Sequence, residues 1–254
     1  MPAADLLAEL RAVKDPEELE IMIAAQRIAE KALTDILNEI RPGVTEKEIA
    51  ARLQYRMLHL GASDMSFDPI VVSGANGSLP HGVPSEKTIQ DGEFVTMDFG
   101  CVYRGYCSDM TRTVALGEPS EEMKKVYYTV LEAQKAGIAA AKAGCGAATS
   151  TTQRPRSSRT PATESTSATA SDTAWALRST RSPNANHSNQ DPMPEGVAVS
   201  AEPGIYLPGK IRRAHRGCDP SHPGWVRRHH PGAERAHRSV KTENPCKYGD
   251  NGVK

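Results

Sequence analysis

Between Gly146 and Pro183, seventeen of 38 residues are Ser or Thr, and Trp175 and Leu177 are the only large apolar side chains. A stretch of that composition cannot bury enough apolar surface to offset the entropy of ordering its backbone. Any core in this 254-residue chain must therefore come from the text on either side. Hydrophobic residues make up only 38% of the whole and aromatics 5%, and the shortfall is concentrated in a few tracts. A second unusual tract spans residues 211–239, with seven Arg and five His scattered among Pro and Gly. It has neither an amphipathic period nor aromatic platforms, so it reads poorly as a nucleic-acid-binding tail. Salt-sensitive DNA binding lost on deleting 211–254 would identify one.

Residues 1–145 carry the text of a folded α+β unit. Asp15-Pro16-Glu17-Glu18 supplies a cap, a proline at the first helical position and acids in the first turn. Apolar residues from Ile21 to Ile40 then keep helical spacing until Arg41-Pro42-Gly43. Thr45 with Glu48 forms a capping box for a second helix that carries Ile49, Leu53 and Met57 and closes at Gly61. Strands are expected at 69–73, 93–99 and 107–116, and a third helix from about Ser120 to Lys142. Structured text returns between Asn184 and Lys210.

The formal net charge is zero, so nothing points globally to nucleic acid or an anionic membrane. No long apolar run or signal-peptide core is present, and a cytoplasmic protein is the default expectation. Cys101, Cys107, Cys145, Cys218 and Cys246 are odd in number and lack a CxxC, which leaves buried or incidental thiols.

Asp98 and Asp109 are the sharpest chemical feature. A hairpin turning at Tyr103-Arg104-Gly105 sets Asp98 opposite Asp109 and Thr96 opposite Thr111. Like charges directly across an antiparallel pair are destabilising, and the more so beside Val95, Met97 and Phe99. A divalent cation held by both carboxylates reverses that sign. Ordinary strand-end aspartates in a register differing by one or two residues remain the alternative. His81 lies in a Gly- and Pro-rich loop, Ser73 to Pro84, that can present an imidazole to a substrate or leave it in solvent. Glu202 precedes Pro203-Gly204 at a strand end, where a carboxylate can complete a metal site.

These phrases together resemble the Xaa-Pro aminopeptidase and prolidase family of metallopeptidases, with its pita-bread (creatinase/aminopeptidase) fold. The matching text is KDPEELEIM at Lys14–Met22, FDPIVVSGANGSLPHGVPSEKTI at Phe67–Ile89, VTMDFGCVYRGYCSDMTRTV at Val95–Val114, and AEPGIYLPGK at Ala201–Lys210. The resemblance implies two divalent metal ions, most often manganese, held by two aspartates, one histidine and two glutamates. Asp98, Asp109 and Glu202 match three of these ligands, and His81 matches a histidine that contacts substrate. Proline-containing peptides are the implied partners, with no nucleic acid and no membrane, and a homo-oligomer remains an open expectation. The implied activity is removal of an N-terminal residue preceding proline, or hydrolysis of an Xaa-Pro dipeptide. A non-catalytic pita-bread module for peptide or protein binding is the alternative.

Two motifs of the family are absent, an HxxGHGxGLxxHE-like phrase before the EPG strand and a GxRIED-like phrase after PGK. The two aberrant tracts stand in their places. Read one frame away, Thr169 to Arg181 permits His-Arg-Leu-Gly-His-Gly-Leu-Gly-Leu-Glu-Val-His-Glu. In the other frame, Arg212 to Gly217 permits Gly-Val-Arg-Ile-Glu-Asp. The chain then divides into 1–145, the N-terminal part of an incomplete catalytic domain; 146–183, a frameshifted segment; 184–210, returning catalytic-domain strands; and 211–254, a frameshifted basic tail. The missing histidine and glutamate ligands fall at Thr173 and Arg216. On this reading the chain as written is inactive, and its sheets lack their central strands.

Overall fold

The computed structural model describes residues 10–78, 82–140, 168–170, 172–174, 181–185, 194–201, 203–207, 211–214, 217–220 and 240–241. Helix α1 (Pro16–Ile36) starts at its expected cap. The Asp15 side chain accepts from the Glu18 N–H at 2.8 Å, and Glu18 Oε2 accepts from the Asp15 N–H at 2.9 Å. Its buried stripe is Ala25, Ala29, Ala32 and Ile36, spaced by four and three residues, and the small side chains allow close approach of neighbouring elements. Helix α2 (Glu46–His59) is capped in the same reciprocal way by Thr45 and Glu48, and buries Ile49, Leu53 and Met57.

Strands β1 (Asp64–Met65), β2 (Ile70–Ser73), β3 (Phe94–Phe99), β4 (Cys101–Tyr103), β5 (Tyr106–Cys107) and β6 (Met110–Leu116) follow, and helix α3 (Glu121–Ala140) closes the first half. Strands β2, β3 and β6 are adjacent and antiparallel. Because side chains alternate along a strand, this sheet has two chemically distinct faces. Val71, Val95, Met97, Phe99, Met110 and Val114 point to one face and join Ala29, Ile36, Ile49, Leu53 and Met57 in the main core. On the other face, Phe94 and Ala115 meet Tyr127 and Leu131 of α3. Between them that face carries polar side chains, Thr96, Asp98, Thr111 and Thr113, all buried.

Short strands β7 (Ala168–Ala170), β8 (Asp172–Ala174) and β9 (Arg181–Ala185) precede β10 (Ala198–Ala201), β11 (Pro203–Leu207), β12 (Ile211–Ala214), β13 (Gly217–Pro220) and β14 (Val240–Lys241). Strand β10 pairs with β13 and β8, and β11 with β12 and β7. The β10–β13 and β11–β12 ladders keep one register, with Ala201 opposite Gly217 and Gly204 opposite Ala214. Strand β12 lies against β3, β6 and α3. The Lys14 N–H donates to the Gly196 carbonyl at 3.0 Å, and Val13 bridges Val197, which ties the start of the domain to the returning strands.

Residues 168–185 hold β7, β8 and β9, and the tail after Lys210 holds β12, β13 and β14. Ladder hydrogen bonds use backbone groups alone, so β10 and β11 can recruit neighbours whose side chains carry no strand pattern.

Candidate active site

The β3–β6 register differs from the expected one by two residues. Asp98 pairs with Thr111, and Thr96 with Thr113, instead of with Asp109 and Thr111. The cause is the turn. Tyr103 pairs with Tyr106, which leaves a two-residue loop at Arg104-Gly105 with φ of 50° and 87°. Positive φ at both central positions is the primed geometry that matches strand twist, and the ladder counts back from there. Asp109 consequently lies diagonal to Asp98 on the same face. Diagonal neighbours stand roughly 7–8 Å apart at Cα, against about 4.5–5.5 Å for directly opposed residues. That spacing leaves room for a cation between two short carboxylates, where direct opposition would press them together.

Both aspartates are fully out of solvent, at 1% and 0% exposure. Asp98 Oδ1, Asp109 Oδ1 and Thr111 Oγ1 are buried oxygens that make no hydrogen bond among the described residues. Gln26 Oε1 and Ser66 Oγ share that condition elsewhere in the chain, so the three on this face stand out by their clustering. The adjacent hydroxyls are satisfied, with Thr96 Oγ1 and Thr113 Oγ1 3.0 Å apart. Buried acceptors left without donors cost about 1–3 kcal/mol each, and a divalent cation removes that cost.

Gly100, which sequence reasoning passed over, makes the arrangement sterically possible. A Cβ at this position would stand 1.9 Å from the Ser108 carbonyl oxygen and 3.1 Å from Asp109 Cα. The backbone leading into Asp109 therefore passes directly over Gly100. Two bonds hold it there, Ser108 N–H to the Cys101 carbonyl at 2.9 Å and Cys101 N–H to Ser108 Oγ at 3.0 Å. A glycine inside strand text is the one signal that could have exposed this approach. Cys101 and Cys107 are buried free thiols, and desolvation pushes the Cys101 thiol above its ordinary pKa, which makes it unreactive.

The remaining expected site residues are not brought together within the described part of the chain. His81, Glu202 and Arg216 lie outside the described residues. Thr173 lies in β8, next to Ala174, which pairs with Val199 of β10. Among the described residues no group of three or more His, Cys, Asp or Glu could hold a metal ion. The aspartate pair thus fits part of a metal centre, and the described residues supply no third ligand.

A buried carboxylate pair on one sheet of a layered α+β domain with paired antiparallel sheets defines the class as the pita-bread fold of metallopeptidases. The chain belongs to metallopeptidase family M24, which it matches over residues 20–244. It is 46% identical to the peptidase YqhT of Bacillus subtilis (strain 168) over 144 residues, covering 57% of this chain and 41% of that protein. It is 44% identical to the Xaa-Pro dipeptidase of Pyrococcus furiosus over 140 residues, 55% of this chain and 40% of that one. Among solved structures, the X-Pro aminopeptidase of Thermotoga maritima MSB8 superposes with a TM-score of 0.80 at 37% identity, over 85% of this chain and 61% of that one. The prolidase of Pyrococcus furiosus gives 0.81 at 33% identity, over 87% and 65%. The chain spans about two fifths of the length of these curated relatives.

Proposed function

We propose that this chain derives from a manganese-dependent, cytoplasmic Xaa-Pro peptidase and that, as written, it retains only part of the metal site and does not turn over peptide. The observation that carries the first half is the pair of fully buried aspartates, Asp98 on β3 and Asp109 just before β6, beside the buried threonines of the β2–β3–β6 sheet. Two divalent ions bound there would act as a Lewis acid on the peptide carbonyl and as the source of the nucleophile. The chain's own contribution is to fix Asp98 and Asp109 diagonally on a rigid ladder and to exclude water from them.

Charge and ligand count carry the second half. Two divalent ions carry four positive charges, which the family's four carboxylates balance. Here Asp98, Asp109 and Glu202 remain, Thr173 stands at the histidine position, and Arg216 stands at the last glutamate. Three carboxylates and a guanidinium offset one divalent ion and not two, so the ligand set does not fit a dinuclear centre. The two frame displacements account for both losses. Their support is that sequence matches to relatives extend over 138–144 residues, about the length of the uninterrupted text before Gly146.

The nucleotide sequence is the direct test. If codons 146–183 and 211–239 do not encode the histidine and RIED phrases out of frame, the displacement is refuted. Turnover of an Xaa-Pro peptide by the purified chain with added manganese overturns the inactivity. The binding-module reading is weaker because a site repurposed for recognition has no need of two buried acids.

A further inference from the structure

Glu46 is the first residue of α2, a position where an acid is ordinarily a solvated partner of the helix dipole. Instead it is 0% exposed. Its Oε1 accepts from the Ser73 N–H at 2.6 Å, the Ser73 hydroxyl at 3.0 Å and Asn76 Nδ2 at 3.3 Å. Its Oε2 accepts from the Ser85 hydroxyl at 2.7 Å, the Ser85 N–H at 3.1 Å and Asn76 Nδ2 at 3.1 Å. These donors lie 27 to 39 residues away in sequence, at both ends of one loop. Ser73 ends β2 and Asn76 opens the loop, whereas Ser85 closes it.

The network has a single direction. Ser73 Oγ donates to Glu46 and accepts from Lys87 Nζ at 2.9 Å, and Lys87 also pairs with Glu93 at 2.7 Å. Ser85 Oγ donates to Glu46 and accepts from the Lys87 N–H at 3.2 Å. Every donor ends on an acceptor-only carboxylate, and an amide of the same shape at position 46 would present a donor to groups that are themselves donors. One of the two backbone N–H groups, that of Ser73 or that of Ser85, would then lose its acceptor.

We propose that Glu46 is the positioning residue of the glycine-rich loop: one buried carboxylate joins Ser73 and Asn76 at its start to Ser85 at its end, and so sets the separation of the two points between which His81 lies in sequence. The part this plays in peptide recognition rests on the peptidase reading above; the clamp itself does not. Two further links run beside the carboxylate, Asn76 Nδ2 to Ser85 Oγ at 3.2 Å and Lys87, which meets Ser73 Oγ through Nζ and Ser85 Oγ through its N–H, but Glu46 alone accepts from the backbone N–H groups of both Ser73 and Ser85.

The test compares the full chain with Glu46→Gln by amide hydrogen exchange and by the imidazole resonances of His81 and His59, assigned by His→Ala replacement. Loss of the acceptor predicts about tenfold or faster exchange across 73–85, with the β3–β6 ladder unchanged. The His81 signal shifts and that of His59 does not. Unchanged loop exchange, or acceleration equal in loop and ladder, overturns the proposal. A His81 signal that stays in place while the loop exchanges faster overturns the positioning role. Should Glu46→Gln fail to fold, Ser85→Ala removes one donor and predicts a smaller, loop-confined increase, whose absence is equally decisive. None of these readouts requires turnover, so failure of the peptidase reading leaves them interpretable.

Discussion

Replacing Gly100 with Ala asks whether the carboxylate site depends on backbone contact. Gly100 has no positive φ, so alanine is conformationally acceptable and the cost comes from contact alone. The new Cβ would stand 1.9 Å from the Ser108 carbonyl oxygen, where ordinary contact begins near 3.4 Å, so the 108–109 backbone must move by more than an ångström. Two hydrogen bonds lock the two segments, Ser108 N–H to the Cys101 carbonyl at 2.9 Å and Cys101 N–H to Ser108 Oγ at 3.0 Å, while Ser66 N–H anchors the Gly100 carbonyl from the other side of the chain at 3.0 Å. Stretching those two bonds at about 0.5–1.5 kcal/mol each, with about 1–3 kcal/mol of overpacking, gives a loss of roughly 2–6 kcal/mol. At about 2–4 °C per kcal/mol, the thermal midpoint falls by at least ~4 °C. Gly105→Ala is the control, because φ of 87° makes its strain conformational and predicts a smaller loss of about 1–2 kcal/mol. The assay is thermal unfolding followed by circular dichroism. A Gly100→Ala midpoint within a degree of the parent, or a larger drop for Gly105→Ala, refutes the close-approach reasoning.

Three further outcomes follow from the same geometry. Thr96→Val or Thr113→Val alone strands a buried hydroxyl and destabilises by about 1–3 kcal/mol, whereas the double valine variant recovers most of that loss in urea unfolding. The Tyr106 hydroxyl donates to Glu18 at 2.7 Å, and this bond, with desolvation and the nearby carboxylate charge, raises its pKa from 10.0 to about 12. A raised pKa means the native state holds the proton more tightly, so this stabilisation is complete below pH 10 and is lost as pH climbs towards 12. Alkaline absorbance titration of the parent minus Tyr106→Phe should place the missing step near 12, and a step near 10 contradicts it. Hydrogen bonds from Thr45 lower the Glu48 pKa, so its contribution is present above the usual carboxylate range and disappears as pH falls through the lowered value. The stability gap between the parent and Glu48→Gln therefore closes in acid.

Much of the first half was legible because its signals are local. The Asp15 cap and the Thr45–Glu48 box each announce a helix within four residues; both form, and Asp15 gains in addition a reciprocal bond with Glu18. The alternation in Glu93–Phe99 was enough to find β3. The register was not, because it depends on which residues occupy the loop. Arg104-Gly105 lacks the asparagine or aspartate that usually marks a primed turn, although Gly105 alone fits its second central position. That single shift moved Asp109 from opposite Asp98 to its diagonal and changed the site from a clash into a gap. Glu46 and Gly100 were opaque for a different reason. Their roles are set by Ser73, Asn76 and Ser85 in one case and Ser108 in the other, none of which can be inferred from the residues beside them.

The later half separates what a sheet requires from what a metal site requires. Strands β7, β8, β12 and β13 pair with β10 and β11 through groups that every residue except proline carries, so a segment translated out of frame still offers the ladder its donors and acceptors. A ligand set has no such degeneracy. On the proposed reading, threonine at 173 cannot supply an imidazole, and arginine at 216 puts a fixed positive charge where the family has an oxygen donor. The placement of Asp98 and Asp109 does not depend on those tracts alone, since β3 carries Asp98, Asp109 directly precedes β6, and Phe94 and Ala115 of the same two strands pack α3. If the proposed frame displacement holds, restoring the frame of residues 146–183 without that of 211–239 returns the histidine but leaves Arg216 in place, and it should raise divalent-metal affinity without giving a dinuclear stoichiometry. Metal analysis giving two ions per chain in that half-restored protein would show that Arg216 does not occupy a ligand position.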